Sequence, residues 1–185
     1  MTVKPTLVGK RQGDSRKPMD KCSKVFRGMQ VNSDAQAGAR IAVNPRSEGR
    51  KGFVLLGPKT QVTFSEFVIA AASGDRPRMS FLMQLGQFRV ALAPGSDKLG
   101  DGEYWIMVPG TADREAVHLR LAGTDVYVAA DERSTTVAVF EGLVTVESAG
   151  RKVELTPGTW TRVAADGPQP PMTFDPGVGK LSPSA

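Results

Sequence analysis

At 185 residues the chain fits one ordinary domain or a domain with tails, and a hydrophobic content of 40% is enough for a real core, which excludes global disorder. No apolar run is long enough for a transmembrane helix, the longest patches (Phe67 to Ala72, Val137 to Phe140) being strand-sized. The net charge of +5 is uneven: residues 1–51 hold 12 Lys and Arg against 4 acids, and residues 52–185 hold 12 against 15, so a basic start is joined to a near-neutral body.

Residues 1–21 are polar and rich in helix and strand breakers, and read as a flexible basic arm carrying Lys4, Lys10, Arg11, Arg16 and Lys17. Val25 to Val31 reads as a first strand pair or a strand kinked at Gly28, and Ala39 to Val43 as a second candidate closed by Asn44-Pro45. Phe53 to Leu56 leads into a Gly57-Pro58 turn, followed by a Val-, Thr-, Phe- and Ile-rich stretch from Thr60 to Ala72. Ser80 to Leu85 and Gln87 to Leu92 are joined through Gly86, and Tyr104 to Val108 is stopped by Pro109-Gly110. From Val117 to Val163 the runs come closely spaced: 117–121, 126–128, 135–140, 143–146, 153–155 and 160–163, punctuated by Gly123, Gly142, Gly150 and Gly158. Alternating apolar and polar side chains in such runs line two opposite faces. Beyond Asp166 the periodicity stops and Gly, Pro and Ser dominate, with Pro168, Pro170 and Pro171 marking an extended tail. No amphipathic helix of ten or more residues is visible. The expectation is all-β: a twisted solenoid-like or sandwich-like stack of short strands over 22–165, with an arm at 1–21 and a tail at 166–185.

Motifs with chemical potential fail on inspection. Gly52 to Thr60 nearly spells a phosphate-binding loop, but Pro58 stands where the lysine should follow the second glycine, and Phe53 to Leu56 is a strand. His118, the single histidine, alternates with Val117 and Leu119 and is expected on an exposed face, where one imidazole cannot assemble a metal site. Asp97, Asp101 and Glu103 could offer oxygens to a hard cation, yet their spacing is not that of a calcium loop, and Asp101-Gly102 is first a hairpin dipeptide. A single cysteine, Cys22, excludes an internal disulfide. No nucleophile motif such as Gly-x-Ser-x-Gly occurs. The reading is therefore of a protein that is not an enzyme and holds no metal or cofactor. Aromatic residues are 6% of the chain and alternate into strands, which argues against nucleic acid as a partner.

Several phrases resemble the FecR-type domain of bacterial envelope proteins. Leu56-Gly57-Pro58-Lys59-Thr60 matches that family's Leu-Gly-Pro-x-Thr turn, and Met83-Gln84-Leu85-Gly86-Gln87-Phe88-Arg89-Val90 echoes its Leu-x-x-Gly-x-x-Arg-Val segment. Gly123-Thr124-Asp125-Val126-Tyr127-Val128, followed by Val137-Ala138-Val139-Phe140-Glu141-Gly142-Leu143-Val144-Thr145-Val146, is similar to its Gly-Thr-x-Phe-x-Val and Val-x-Val-x-Glu-Gly-x-Val-x-Val motifs. The resemblance spans roughly 25–165 and implies a stack of strands without an active site. It also implies a periplasmic or envelope location, with the leader peptide removed, although the start Met-Thr-Val-Lys-Pro also fits the cytoplasm. The expected role is a non-enzymatic protein–protein interaction module, a structural or accessory subunit of a larger envelope assembly. Lys4, Lys10, Arg11, Arg16, Lys17, Pro168, Pro170 and Pro171 are the residues expected to meet partners. Two other roles stay open: holding peptidoglycan or polysaccharide through Trp105, Tyr104 or Trp160, and periplasmic signal relay.

Overall fold

A computed structural model describes residues 7–10, 17–18, 24–35, 38–43, 52–68, 78–91 and 103–175. These form fourteen strands and no helix: β1 Leu7–Lys10, β2 Lys17–Pro18, β3 Met29–Ser33, β4 Ala39–Val43, β5 Gly52–Leu56, β6 Gln61–Val68, β7 Arg78–Ala91, β8 Glu103–Val108, β9 Val117–Ala130, β10 Thr135–Ser148, β11 Arg151–Leu155, β12 Thr159–Ala164, β13 Gly167–Pro168 and β14 Met172–Thr173. Hydrogen bonds join them in one ladder, antiparallel except between β7 and β8.

Three of these strands, β7, β9 and β10, are 14 residues long, and each carries a glycine with positive φ near its middle: Gly86 (101°), Gly123 (57°) and Gly142 (81°). The inward side changes there. Along β7, Met79, Phe81 and Met83 are buried before Gly86, and Phe88 and Val90 after it. Along β9 the buried set moves from Val117, Leu119 and Leu121 to Thr124, Val126 and Val128; along β10 it moves from Val137 and Val139 to Val144 and Val146. An odd-numbered face becomes an even-numbered one because each glycine inserts an extra residue as a bulge, and the pairing of β9 with β10 shifts register at the same place. The sequence expectation of separate short strands meeting at glycine turns is thus refined: 117–121 and 126–128 are two halves of one strand.

The bends fold the ladder over. Phe81 and Phe88 are seven residues apart, about 23 Å along a straight strand, yet their rings meet edge to face at 5.2 Å. Partners change at the bend as well. Before it β7 pairs with β6 and β8; after it β7 pairs with β5 and the second half of β9. The result is a sandwich. The first layer runs β2-β1-β3-β6-β7-β8-β9-β10-β11, and the second runs β4-β5-β7-β9-β10-β12, edged by β13 and β14. One core fills the space between them, from Val31, Phe64 and Ile106 on one side to Val54, Phe88 and Val128 on the other.

The fold line is locked by hydroxyls. The Ser33 hydroxyl donates to the Gly57 carbonyl (2.6 Å) and accepts the Thr60 N–H (2.8 Å). The Thr60 hydroxyl donates to the Gln87 carbonyl and accepts the Gln87 N–H, both at 2.9 Å, while Gly57 N–H donates to the same carbonyl at 2.8 Å. The Leu-Gly-Pro-Lys-Thr turn is a clamp on the β7 bend. It contains no phosphate cradle: Gly52–Leu56 is strand β5.

Both ends of the described chain fold back on the domain. Leu7–Lys10 pairs with Gln30–Ser33, and Gly167–Pro168 and Met172–Thr173 pair along the free edge of β12. The tail expected to begin at 166 therefore continues the sheet to residue 173, with Phe174 packed on Phe140 at 5.3 Å. Proline content did not prevent this, because an edge strand needs N–H donors on one side only.

Candidate interaction surfaces

Alternation leaves each layer an outer face, and the register fixes which side chains share it. On the first layer one cross-strand row runs Thr63, Leu82, Met107, His118, Glu147, Lys152, and the next runs Glu66, Ser80, Trp105, Arg120, Thr145, Glu154. Trp105 and Met107 are each 39% exposed, and so is Leu143, which stands opposite exposed Ala122. The Arg120 guanidinium lies 5.6 Å from the Trp105 ring, at cation–π range. His118 is exposed as expected, beside Met107 and Glu147. The face is therefore apolar at β8, cationic at β9, and mixed in charge toward β11, where Glu147 and Lys152 form a solvent-exposed ion pair of 3.9 Å.

On the second layer the row is Arg40, Leu55, Arg89, Tyr127, Ala138, Trp160, Met172. Its polar groups are largely spent on one another. Arg89 makes two parallel hydrogen bonds to Asp125, Nε to Oδ1 and Nη2 to Oδ2, both 2.8 Å, and lies 4.2 Å over the Phe140 ring. The hydrogen bond to Asp125 holds the Arg89 pKa above its ordinary value. Arg40 covers Phe53 at 4.8 Å. This cluster escaped the sequence reading because its members come from β7, β9 and β10, and nothing local marks Arg89 as a partner for a residue 36 positions on.

The aromatic residues proposed for a glycan do not converge. Tyr104 points inward at 1% exposure, its hydroxyl without a partner, and burial pushes its pKa up to about 12. Trp105 stands on the first outer face and half-buried Trp160 on the second. The tyrosine is misplaced for a simple reason: in a run of five large apolar side chains, Tyr104 to Val108, alternation alone decides which face inward.

Of the residues expected to meet partners, Lys4, Arg11 and Arg16 lie outside the described residues, as do Cys22, Asp97 and Asp101. Lys10 ends β1 opposite Gln30, and Lys17 lies in β2 opposite Gly9. Pro168 is buried in β13, whereas Pro170 and Pro171 are exposed between β13 and β14. Among the described residues no group of three or more His, Cys, Asp or Glu could hold a metal ion. No described helix is long and apolar enough to cross a membrane.

A buried cation lies in the β8–β9 connection. Arg114 is 4% exposed, donates from Nη2 to the Pro109 carbonyl at 3.2 Å, and leaves Nε and Nη1 unpartnered. Desolvation lowers its pKa, opposed by the nearby negative charge of Asp131.

No family model and no curated protein matches the chain. Two crystal structures described as a "putative anti-sigma factor" from Parabacteroides distasonis ATCC 8503, at 1.65 and 2.50 Å, are similar to it, with TM-scores of 0.56 and 0.57. Each is 12% identical and is matched over 79% of this chain and 60% of its own length. The likeness is one of fold, and this chain spans about 60% of those longer proteins.

Proposed function

We propose that this protein is a non-enzymatic interaction module of the bacterial cell envelope, an accessory or structural subunit that works by contacting other proteins. The observation that carries this reading is the outer face of the first layer. Leu82, Trp105, Met107, Ala122 and Leu143 form an apolar stretch next to the Arg120 cation and the exposed His118 ring. Large apolar side chains grouped on a surface with a charged border mark an association site, and Trp, Met and Arg are the residue types enriched at interface centres. The FecR-like phrases agree with a periplasmic setting. The structural likeness to anti-sigma factors favours a second role, relay of a signal by protein contact, which would use the same face.

A photo-reactive amino acid in place of Met107, introduced in the native host, tests the reading. One envelope protein crosslinked reproducibly from position 107, and not from Glu132 on the β9–β10 connection, is the expected result. A chain that fractionates with the cytosol and crosslinks to nothing would overturn it. A reporter of sigma-dependent transcription separates relay from attachment: Trp105→Ser changes the reporter only if a signal passes.

A further inference from the structure

The topology leaves four strand edges unpaired among the described residues, and three carry devices that discourage a further strand. At one end of the first layer, β2 is two residues long and includes Pro18. At the other end, β11 places Arg151, Lys152 and Glu154 in a five-residue strand, all three exposed. In the second layer, β13 and β14 are two-residue pieces separated by Gln169-Pro170-Pro171, where two consecutive residues lack an N–H. The fourth edge, β4, has none of these. Ala39–Val43 holds no proline and pairs with β5 over five residues in unbroken register. Ala39 and Ile41 pack against the core, so the strand is anchored, while Arg40 and Ala42 are exposed. Its single charge, the exposed Arg40, lies on the outer face with its guanidinium 4.8 Å from the Phe53 ring, beside the strand's backbone edge.

We propose that β4 is the receiving edge for an extended, acidic segment of a partner protein, which adds to the second layer as a further strand. This deepens the interaction reading above and rests on it. Main-chain hydrogen bonds would supply the affinity and alternate side chains the selectivity. Charge selects the occupant. β4 and β5 carry one charge between them, Arg40, and β4 belongs to residues 1–51, which hold 12 Lys and Arg against 4 acids. A second copy pairing β4 with β4 would bring two such halves together, each with Arg40 on the same outer face, and like-charge juxtaposition disfavours that pairing. Acidic side chains at the outward positions of an incoming strand would instead meet Arg40.

The test is amide hydrogen exchange on the full chain with an eight-residue peptide alternating valine and glutamate, compared with its valine–lysine counterpart and with a version N-methylated at the valines. The glutamate peptide should slow exchange within Ala39–Val43 by about tenfold, should bind more weakly as salt rises, and should lose about tenfold in affinity with Arg40→Glu or with Ala42→Glu, the second variant keeping the Arg40 side chain. The N-methylated peptide should not bind. Unchanged exchange at β4, protection at β11 or β13 instead, or equal binding of the lysine peptide overturns the proposal. Concentration-dependent protection of β4 without peptide also overturns it, since a second copy would then be the occupant. Crosslinking from position 107 that persists while the peptide fails sinks the edge alone; failure of both removes the interaction reading.

Discussion

The fold line and the outer face of the first layer are built from opposite kinds of residue. At the fold line the working groups are backbone and the smallest side chains: Gly86, Gly123 and Gly142, with the hydroxyls of Ser33 and Thr60. On the outer face they are large side chains, Trp105, Met107 and Arg120, held on regular strand. The first region decides how the ladder doubles over and has almost no freedom to vary. The second decides what the surface can meet and can be rewritten without touching the fold. Even within the fold line the demands differ. A Cβ on Gly142 would overlap the backbone carbonyls of Gly123 and Ala122, whereas a Cβ on Gly123 meets nothing within 4 Å. One glycine is required by space, the other by φ alone.

Substitutions can break or sharpen this contrast. Gly142→Val should have the largest effect, an unfolded protein or a loss above about 4 kcal/mol, since strain at positive φ is joined by a backbone collision; Gly86→Ala, blocked by the backbone of Thr60 and Lys59, should behave alike. Chemical denaturation reads both, and a midpoint near wild type for either would remove the fold line as described. Thr60→Val comes next, at about 2 kcal/mol, because it leaves the half-buried Gln87 N–H without its acceptor and the Gln87 carbonyl with the Gly57 N–H alone of its two loop donors. Gly123→Asn should cost no more than about 1 kcal/mol, asparagine tolerating this region of φ; a loss equal to that of Gly142→Val would erase the distinction between the two bends. On the outer face, Trp105→Ser with Arg120→Ser should leave stability within about 0.5 kcal/mol while abolishing the crosslink from position 107.

A pH titration probes two buried phenol groups, one in the core and one on the second layer. The chain has two tyrosines, Tyr104 and Tyr127, and both hydroxyls are buried without a partner. Burial raises both pKa values, that of Tyr104 to about 12. In the unfolded chain a tyrosine ionises near pH 10, so the folded state holds its phenol protons more tightly. Stability from this source is complete below about pH 10 and is lost as pH rises toward 12. Absorbance of tyrosinate should stay low at pH 10.5 in the folded protein and rise with unfolding. Ordinary ionisation of both tyrosines in the folded chain would mean that their hydroxyls reach water.

Strand content was readable because alternation is local: the Val117–Leu119–Leu121 and Val144–Val146 series announce their inward faces from sequence alone, as His118 announces its outward one. The glycines were readable as places of positive φ but not as bulges inside continuous strands, since a hairpin turn and a bulge both call for glycine and differ in what pairs on either side. The folded-back tail was hidden for another reason. Gly167, Pro168, Met172 and Thr173 have no period of their own and are ordered by the edge of β12. The outer-face patch was half visible: Trp105 stood out in the chain, but its neighbours Leu82, Arg120 and Leu143 become neighbours only through the register.

Because β7, β9 and β10 each pass through both layers, the sandwich has no seam. Layers joined only by loops can slide like plates, but here three continuous covalent threads cross the fold line side by side. A push or pull on Trp105 passes from β8 through its ladders with β7 and β9, and those two strands carry it across the fold line to the layer that holds Arg89 and Trp160. The domain should therefore behave mechanically as a strut, carrying load or displacement from one face to the other, and yield under force in one step once the fold line gives way.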